Sequence, residues 1–309
     1  MKIVFMGTPA FAVPALGALH ASRHEVLAVV TAPDKPRGRG QKTRSSEVRQ
    51  KAAELGLPVL QPRKLKDPSF IAALKQYEAD IYVVVAFRIL PPEIYTLPPL
   101  GAVNAHASLL PKYRGAAPIH WAVYHGEKET GVTVFRIERT VDTGKIIHQR
   151  RIPVEEEESA GDLYDKLKIL AARTLTEALD KIENGEAEYR PQNAEASSPA
   201  PKIRPGDGKL DFQKQGKQLC CAVRAFAPRP GAHFYLDGRR IKVLKASFEK
   251  APGTHPGKIS VLSKKRFAIH CKDGFFLPLV LQSPGKREMD AGSWMNGAGL
   301  SEGESVEGY

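Results

Sequence analysis

The sequence predicts an α/β protein: a Rossmann-like, doubly wound and mostly parallel sheet, followed by a small OB-like β-barrel domain. Two observations carry this prediction. Through the first half of the 309 residues, short apolar runs without polar alternation alternate with helical stretches, which is typical of strands buried on both faces of a parallel sheet. The C-terminal third instead contains about five strand-like runs, two of which flank the hairpin dipeptide Asp237-Gly238.

The elements of the first half follow from hydrophobic periodicity. Four buried parallel strands are expected at residues 3–6, 26–30, 58–60 and 81–86, with helices such as 46–55 and 68–77 between them. Strands at 131–136 and 145–151 flank a turn at 141–144. Residues 162–183 carry leucines at helical spacing, and we interpret them as a packing helix.

The second half divides by composition. Residues 188–208 are rich in Pro, Ser, Ala and Gly and predict an interdomain linker. A short helix at 218–224 and strands at 233–236, 240–244, 258–262, 266–271 and 275–281 are expected beyond it. The predicted organisation is therefore a first domain at 1–187, a linker at 188–208 and a second domain at 209–309.

Composition excludes several classes of protein. No apolar run approaches the ~20 residues that a membrane helix needs, and the N-terminus lacks a signal-peptide pattern. Three cysteines without zinc-ligand spacing predict reduced thiols in a cytoplasmic protein without a metal. The turn after the first strand, Gly7-Thr8-Pro9, lacks the glycine pattern of dinucleotide-binding proteins, and no Walker motif occurs.

Positive charge is concentrated in two places. Residues 202–309 hold 19 lysines and arginines against 10 acidic residues, a net +9 of the chain's +12, which favours a polyanionic partner such as nucleic acid. Near the N-terminus, Pro and Gly predict that the first part of 31–51 is irregular. This stretch carries Lys35, Arg37, Arg39, Lys42 and Arg44. Composition alone fits either a phosphate-binding loop or a solvated surface loop.

The candidate chemistry lies just after a buried strand. Asn104 and His106 stand two residues apart, so they point to the same side of an extended backbone. Asp142 adds a carboxylate at the 141–144 turn. An amide donor, an imidazole and a carboxylate at the carboxyl edge of an α/β sheet suit acyl transfer to an amine. Asn-x-His by itself equally fits a turn cap and a buried structural histidine.

Longer motifs narrow these alternatives. N-A-H-A-S-L-L-P-K-Y-R-G-A-A-P-I at 104–119, followed by V-D-T-G at 141–144, resembles the formyltransferases that use 10-formyltetrahydrofolate. The resemblance extends over essentially the whole chain. Motifs at 33–42 (P-D-K-P-R-G-R-G-Q-K), 223–232 (V-R-A-F-A-P-R-P-G-A) and 281–289 (L-Q-S-P-G-K-R-E-M) resemble those of family members that act on methionyl-tRNA.

The resemblance implies formyl transfer from 10-formyltetrahydrofolate to the α-amino group of methionine on initiator tRNA. It implies catalytic roles for Asn104, His106 and Asp142, with no metal. Folate-binding residues are expected at Phe87, Arg88, Ile89, Leu90, Ser108, Leu109, Leu110, Pro111 and Val141. Initiator tRNA is expected to contact Arg39 first, then Lys35, Arg37, Lys42 and Arg44. We expect a monomer.

Departures and alternatives stay open at this point. The loop after the fourth strand is one residue shorter than in many family members and contains Arg88. Arg229 stands where an aromatic residue is common, and Phe212 where Trp is common. A family member acting on a sugar-nucleotide amine is the nearest alternative, ahead of glycinamide ribonucleotide formyltransferases, which typically lack a second domain. Ser108 as a hydrolase nucleophile lacks a G-x-S-x-G elbow. An inactive RNA-binding protein is the remaining alternative.

Overall fold

The computed structural model describes the backbone of residues 1–37 and 42–307, and their side chains except those of 35–37 and 42–44. The chain divides into two compact units. The first comprises Met1–Pro118, Glu129–Pro153 and Tyr164–Pro201, and the second comprises Ile119–Lys128, Val154–Leu163 and Lys202–Tyr309. The Lys202 break falls within the predicted linker, whereas the two short segments of the second unit lie inside the predicted first domain, whose bounds stay a prediction.

Strands and helices alternate up to residue 200. In chain order they are β1 (Lys2–Gly7), α1 (Val13–His20), β2 (Glu25–Val30), β3 (Lys35–Arg37), β4 (Lys42–Arg44), α2 (Glu47–Glu54), β5 (Val59–Leu60), α3 (Pro68–Lys75), β6 (Ile81–Val85), α4 (Pro92–Tyr95), β7 (Ala102–His106), β8 (Arg114–Gly115), α5 (Pro118–Tyr124), β9 (Glu129–Arg136), β10 (Ile146–Pro153), α6 (Ala160–Glu183) and β11 (Pro199–Ala200).

The sheet of the first unit has the strand order β10-β9-β7-β6-β1-β2-β5. Strands β7, β6, β1, β2 and β5 are parallel to one another, whereas β9 runs antiparallel to β7 and β10 runs antiparallel to β9. The central strands are buried on both faces, and β6 is buried along its whole length, which explains their unbroken apolar runs. The predicted mostly parallel, doubly wound sheet is confirmed.

One prediction about local structure needs correction. The first part of 31–51 is not wholly irregular, because Lys35–Arg37 and Lys42–Arg44 pair as an antiparallel ladder. Backbone hydrogen bonds in this ladder outweigh the preferences of Pro36 and the neighbouring glycines, since proline is tolerated at the edge of a two-stranded ribbon. Residues 38–41 lie outside the described part of the chain.

The second unit is built on antiparallel pairing. Its remaining elements are α7 (Gly216–Phe226), β12 (Ala232–Leu236), β13 (Arg239–Lys250), β14 (Ile259–Ser263), β15 (Arg266–Cys271), β16 (Gly274–Gln282), β17 (Met289–Asp290) and α8 (Ala291–Ala298). The sheet order is β12-β13-β16-β15-β14, with β17 on β16. This agrees with the predicted small barrel-like domain.

The final helix α8 was not expected from the sequence. Its N-cap Asp290 accepts a hydrogen bond from the Ser293 amide, and Gly299 ends it in the left-handed conformation. Trp294, only 5% exposed, packs into the core of the unit. Two glycines within A-G-S-W-M-N-G-A lower its intrinsic helix propensity, so tertiary packing decides the structure here.

Candidate active site

Strand β7 carries two of the predicted catalytic residues at the carboxyl end of the parallel strands. Asn104 is opposite Val84 of β6, and His106 is opposite Thr133 of β9. Pairing on both sides fixes the backbone of this strand, and the two side chains lie on the same face of it. Asn104 is partly exposed, whereas His106 is buried.

The His106 ring is held from one side by the main chain. Its Nε2 lies 2.8 Å from the Tyr113 carbonyl oxygen. A carbonyl oxygen only accepts hydrogen bonds, so Nε2 carries a hydrogen and donates it. The other ring nitrogen, Nδ1, faces the Asp142 carboxylate, whose Oδ2 is 3.8 Å away. That distance is too long for a direct hydrogen bond, so Tyr113 orients the ring and Asp142 supplies a nearby negative charge.

Asp142 occupies a strained turn and is anchored through its carboxylate. Its φ is +55°, in the left-handed region. Oδ2 accepts a 2.8 Å hydrogen bond from the Gly115 amide. Gly115 itself has φ +123°, and a side chain there would place its Cβ 2.6 Å from the Ala200 carbonyl oxygen. Glycine is therefore required in the K-Y-R-G motif for the close approach that brings its amide to Asp142.

Gln192, which lies in the segment predicted as the linker, holds the main chain of the Asp142 turn. Its Nε2 donates to the main-chain oxygens of Asp142 (3.0 Å) and Gly144 (2.8 Å). Its Oε1 accepts from the Arg114 Nε (3.1 Å) and Nη2 (2.7 Å). Sequence reasoning missed this residue, because nothing in P-Q-N-A signals a partner 78 positions away.

The Ser108–Pro111 loop is fixed by buried hydrogen bonds. The Thr133 hydroxyl donates to the Ser108 carbonyl (2.6 Å) and accepts from the Leu110 amide (3.0 Å). Gln149 Nε2 donates to the Leu110 carbonyl (3.0 Å) and to the Thr133 hydroxyl (2.8 Å). Both supporting side chains come from the antiparallel strands β9 and β10, and neither was predicted as part of the site.

The side chains of this loop are mostly turned inward. Ser108 is fully buried, and its hydroxyl donates to the Lys112 carbonyl at 2.7 Å. This hydrogen bond and burial argue against Ser108 as a nucleophile. Leu110 is buried, while Leu109 and Pro111 are partly buried. The loop therefore offers a rigid, partly apolar surface rather than a reactive hydroxyl.

The residues predicted after β6 form a second loop at the same edge. Arg88 donates from Nη2 to the Pro62 carbonyl (2.9 Å) and from Nη1 to the Arg63 carbonyl (3.2 Å). Burial lowers the pKa of Arg88. Its guanidinium lies 5.1 Å from the centre of the Phe87 ring. Arg88 thus ties the shortened loop to the segment that follows β5.

Two predicted folate-binding residues are large apolar side chains left open to solvent. Ile89 is 75% exposed and Val141 is 46% exposed. Leu90, in contrast, is buried in the core of the first unit. Because β6 and β7 are adjacent and parallel, the loop that carries Ile89 leaves the same sheet edge as the Ser108–Pro111 loop. Val141 belongs to the β9–β10 hairpin, where its neighbour Asp142 reaches His106 at that edge. Exposed apolar groups at such an edge are typical of ligand sites.

The side-chain amide of Asn104 has no hydrogen-bond partner in the described part of the chain. The nearby side chains of His106, Asp142 and Gln192 each form hydrogen bonds. The Asn104 donor is therefore available to a ligand.

The predicted tRNA-binding residues are placed less completely. Lys35, Arg37, Lys42 and Arg44 lie on the β3–β4 ladder, and Arg39 lies outside the described residues.

A cluster of side chains of the types that bind metal ions occurs elsewhere in the first unit. Donor atoms of His24, Asp180 and Glu183 all lie within 4.8 Å of one another. Arg23 Nε already pairs with both carboxylates, at 2.8 Å and 3.0 Å. Burial lowers the pKa of His24. Ion pairing with Arg23 accounts for this cluster without a metal ion.

None of the helices in the described part of the chain combines the length and apolar character needed to cross a membrane.

Comparison with known proteins identifies the family to which the chain belongs. Residues 1–179 match the sequence model of the formyl transferase family, and residues 202–299 match that of the formyl transferase C-terminal domain. A methionyl-tRNA formyltransferase of Pelotomaculum thermopropionicum is 42% identical over 306 residues, covering 98% of this chain and 97% of that protein. One from Caldanaerobacter subterraneus subsp. tengcongensis is 41% identical over 305 residues, covering 98% and 99%.

Solved structures share the fold at lower identity. The sugar 3N-formyl transferase WlaRD, solved in the presence of dTDP and 5-N-formyl-THF, superimposes with a TM-score of 0.68 at 20% identity, covering 93% of this chain and 99% of that one. Both halves of the sequence match their family models, and the identity to curated relatives holds over nearly the full length. The chain therefore belongs to the formyl transferase family.

Proposed function

We propose that this protein transfers the formyl group of 10-formyltetrahydrofolate to the α-amino group of methionine esterified to initiator tRNA. The observation that carries the chemistry is the unbonded Asn104 amide on the same strand face as the His106 ring, whose Nδ1 faces Asp142. The near-full-length identity to methionyl-tRNA formyltransferases supports the choice of acceptor.

The reaction forms one C–N bond and breaks another. The methionine amine attacks the formyl carbon, giving a tetrahedral centre with an oxyanion, and N10 of the folate then leaves with a proton. Asn104 donates to the oxyanion, a contact typically worth ~3–4 kcal/mol of barrier. A free α-amino group has a pKa of roughly 8, so the amine needs no strong base.

His106 is suited to proton transfer through one nitrogen. Since Nε2 donates to Tyr113, only Nδ1 is available to the reactants. Nδ1 donates to the oxyanion or to N10 when it is protonated, and the Asp142 carboxylate 3.8 Å away stabilises that proton. The gap between Nδ1 and Oδ2 also leaves Asp142 free to hold a water that takes the proton lost by the amine.

The folate is expected to bind where Ile89 and Val141 are exposed. The pterin would contact the main chain of residues 87–90 and 141–143, and the fixed Ser108–Pro111 loop would form the opposite wall. Leu109, at the partly buried tip of this loop, would add apolar contact. Covering Ile89 and Val141 would remove apolar surface from water, which favours binding by about 25 cal/mol per Å².

Recognition of initiator tRNA is assigned to the basic β3–β4 region and to the basic second unit. Arg39 is expected to contact the acceptor end, while Lys35, Arg37, Lys42 and Arg44 bind phosphates. Affinity should therefore fall steeply with salt concentration. We expect Arg39→Ala to weaken tRNA use more than it slows the saturated reaction. The protein is proposed to act as a monomer in the cytoplasm.

One assay tests the proposal. The purified chain is incubated with 10-formyltetrahydrofolate and either methionyl initiator tRNA or a uridine-diphospho amino sugar, with His106→Ala as the blank. We expect formyl-methionyl-tRNA to accumulate and the sugar to remain unmodified. Formylation of the sugar alone would assign the chain to a different acceptor class, and formylation of neither would reject the enzymatic proposal.

A further inference from the structure

The first unit contains a pocket of about 540 Å³ that does not include Asn104 or His106. Gly101, which lines it, immediately precedes β7, so the pocket lies at the amino end of the strand that carries those residues. Five strand residues span roughly 13–17 Å. The remaining walls come from the segment after α4 and from the hairpin between β9 and β10. The pocket is therefore lined by other residues than the proposed active site, although Arg139 and Lys145 share the β9–β10 hairpin with Asp142.

Its lining is strongly basic. Arg136, Arg139 and Lys145 line the pocket together with a single acidic residue, Glu138. All four are exposed. Among the described residues, none of the three cations has a carboxylate within ion-pair distance.

Several arginines elsewhere in the first unit do have acidic partners. Described ion pairs there hold Arg23, Arg49, Arg150, Arg151 and Arg173 against acidic residues. Three like charges without partners around one concavity repel one another and attract an anion.

Aromatic groups and size define the ligand further. Tyr95 and Tyr189 line the same pocket, and Tyr189 is 38% exposed. The Arg136 guanidinium lies 6.0 Å from the centre of the Tyr189 ring. A Cβ at Gly101 would lie 3.3 Å from Arg136 Nη2, so the glycine leaves room for the guanidinium. The volume falls in the range of small-molecule sites, ~300–1,000 Å³, and exceeds what an inorganic anion fills.

We propose that this pocket binds a phosphorylated nucleoside. Arg136 and Arg139 bind the phosphate through paired N–H donors, with Lys145 as an additional charge. The base packs against Tyr189, since aromatic side chains stack on nucleobases without requiring a particular sequence. The same chemistry fits a free nucleotide and one nucleotide unit of an RNA. The RNA source rests on the proposed function.

Titration calorimetry on the full chain separates these sources. Adenosine monophosphate, inorganic phosphate and adenosine are titrated at low salt into the wild type, Arg136→Gln/Arg139→Gln and Lys75→Gln. The last is a matched control, because Lys75 is an exposed cation of the same unit outside the pocket. We expect the monophosphate to bind more tightly than either fragment. The double variant should lose at least tenfold in affinity, and the control should match the wild type.

Direct filter binding of initiator tRNA to the same variants provides the second arm. Absence of nucleotide binding together with a tenfold weaker tRNA complex in the double variant would identify the RNA as the source. Unchanged binding of both ligands in the double variant, with a thermal unfolding midpoint equal to that of the control, would overturn the proposal. Because filter binding does not require formylation, the binding result can be interpreted even if the proposed activity is not found.

Discussion

The two ends of strand β7 differ in whether nearby polar side chains have partners within the protein. At the carboxyl end, hydrogen bonds hold His106 to the Tyr113 carbonyl, Asp142 to the Gly115 amide and the Ser108–Pro111 loop to Thr133. At the amino end, Arg136, Arg139 and Lys145 line a pocket without an acidic partner among the described residues. The first arrangement fixes reactive atoms in place, as chemistry requires. The second retains charge for a ligand, as binding requires.

The largest expected effect comes from removing the reactive groups at the carboxyl end. Asn104→Ala and His106→Ala should each lower kcat by about 10²–10³-fold, as removal of an oxyanion donor typically does, with little change in tRNA affinity. Steady-state formylation and filter binding measure the two quantities, with Lys75→Gln as control. Wild-type activity in the His106 variant would remove the distinction between the two ends of β7.

The supports of the carboxyl end are tested by Thr133→Val. The variant keeps the shape of the side chain but leaves the Leu110 amide and the Ser108 carbonyl without the hydroxyl. We expect a loss of about 2–6 kcal/mol in unfolding free energy, at 1–3 kcal/mol for each of the two unsatisfied groups, and a lower kcat.

Thr130→Val on the same strand is the matched control, since Thr130 is equally buried and its side chain has no hydrogen bond within the described residues. Denaturant unfolding compares the two variants. Equal losses would mean that the Thr133 hydroxyl does not hold the loop.

Gln192 allows positioning to be separated from stability. Gln192→Glu removes the two donations to the Asp142 turn but keeps an acceptor for Arg114. We expect kcat to fall by about 30-fold if ~2 kcal/mol, at ~1 kcal/mol for each of the two lost hydrogen bonds, appears in the barrier. The KM for tRNA should change little, and unfolding free energy should fall by no more than the same ~2 kcal/mol. A variant with unchanged kcat but a lowered midpoint would assign Gln192 a purely structural role.

The smallest effect is expected at an ion-pair network away from both ends of β7. Hydrogen bonds from Arg150, at 2.5 Å and 2.7 Å, together with those from His148 and Arg173, lower the pKa of the Glu177 carboxyl from 4.5 to about 2. A lowered folded-state pKa stabilises the protein above pH ~5, and this stabilisation is lost as pH falls towards 2.

Glu177→Gln should therefore cost about 1–2 kcal/mol near neutral pH, after allowance for solvent screening. The cost should vanish at low pH. Unfolding free energies between pH 3 and pH 7 test this, with the exposed Glu186→Gln as control. A cost that stays constant across this range would rule out an electrostatic origin.

The fold was largely predictable because short apolar runs and the spacing of their residues can be read from the local sequence. Strands β1, β2 and β6 follow directly from unbroken hydrophobic stretches. The positions of Asn104 and His106 follow from strand periodicity alone. The closeness of His106 to Asp142 was predictable only through resemblance, since no local rule connects residues 36 apart.

Other features depended on tertiary contacts that the sequence does not signal. The helix α8 contains two glycines and is stabilised by the buried Trp294. Thr133 and Gln149 occupy positions in antiparallel strands where polar residues are ordinary. Their role appears only when the Ser108–Pro111 loop packs against them. The proposed catalytic residues were therefore easier to select from the sequence than the residues that hold them.

The location of Gln192 limits how this enzyme can be divided. The matched family region ends at residue 179 and the predicted first domain at 187, yet Gln192 supports the Asp142 turn and Ser198 Oγ accepts from the Tyr113 amide at 2.9 Å. Strand β11 also pairs with β8. A gene fusion or an expression fragment that exchanges the C-terminal third must therefore be joined after Ala200. An earlier junction would keep the seven-stranded sheet but remove residues that support the proposed active site.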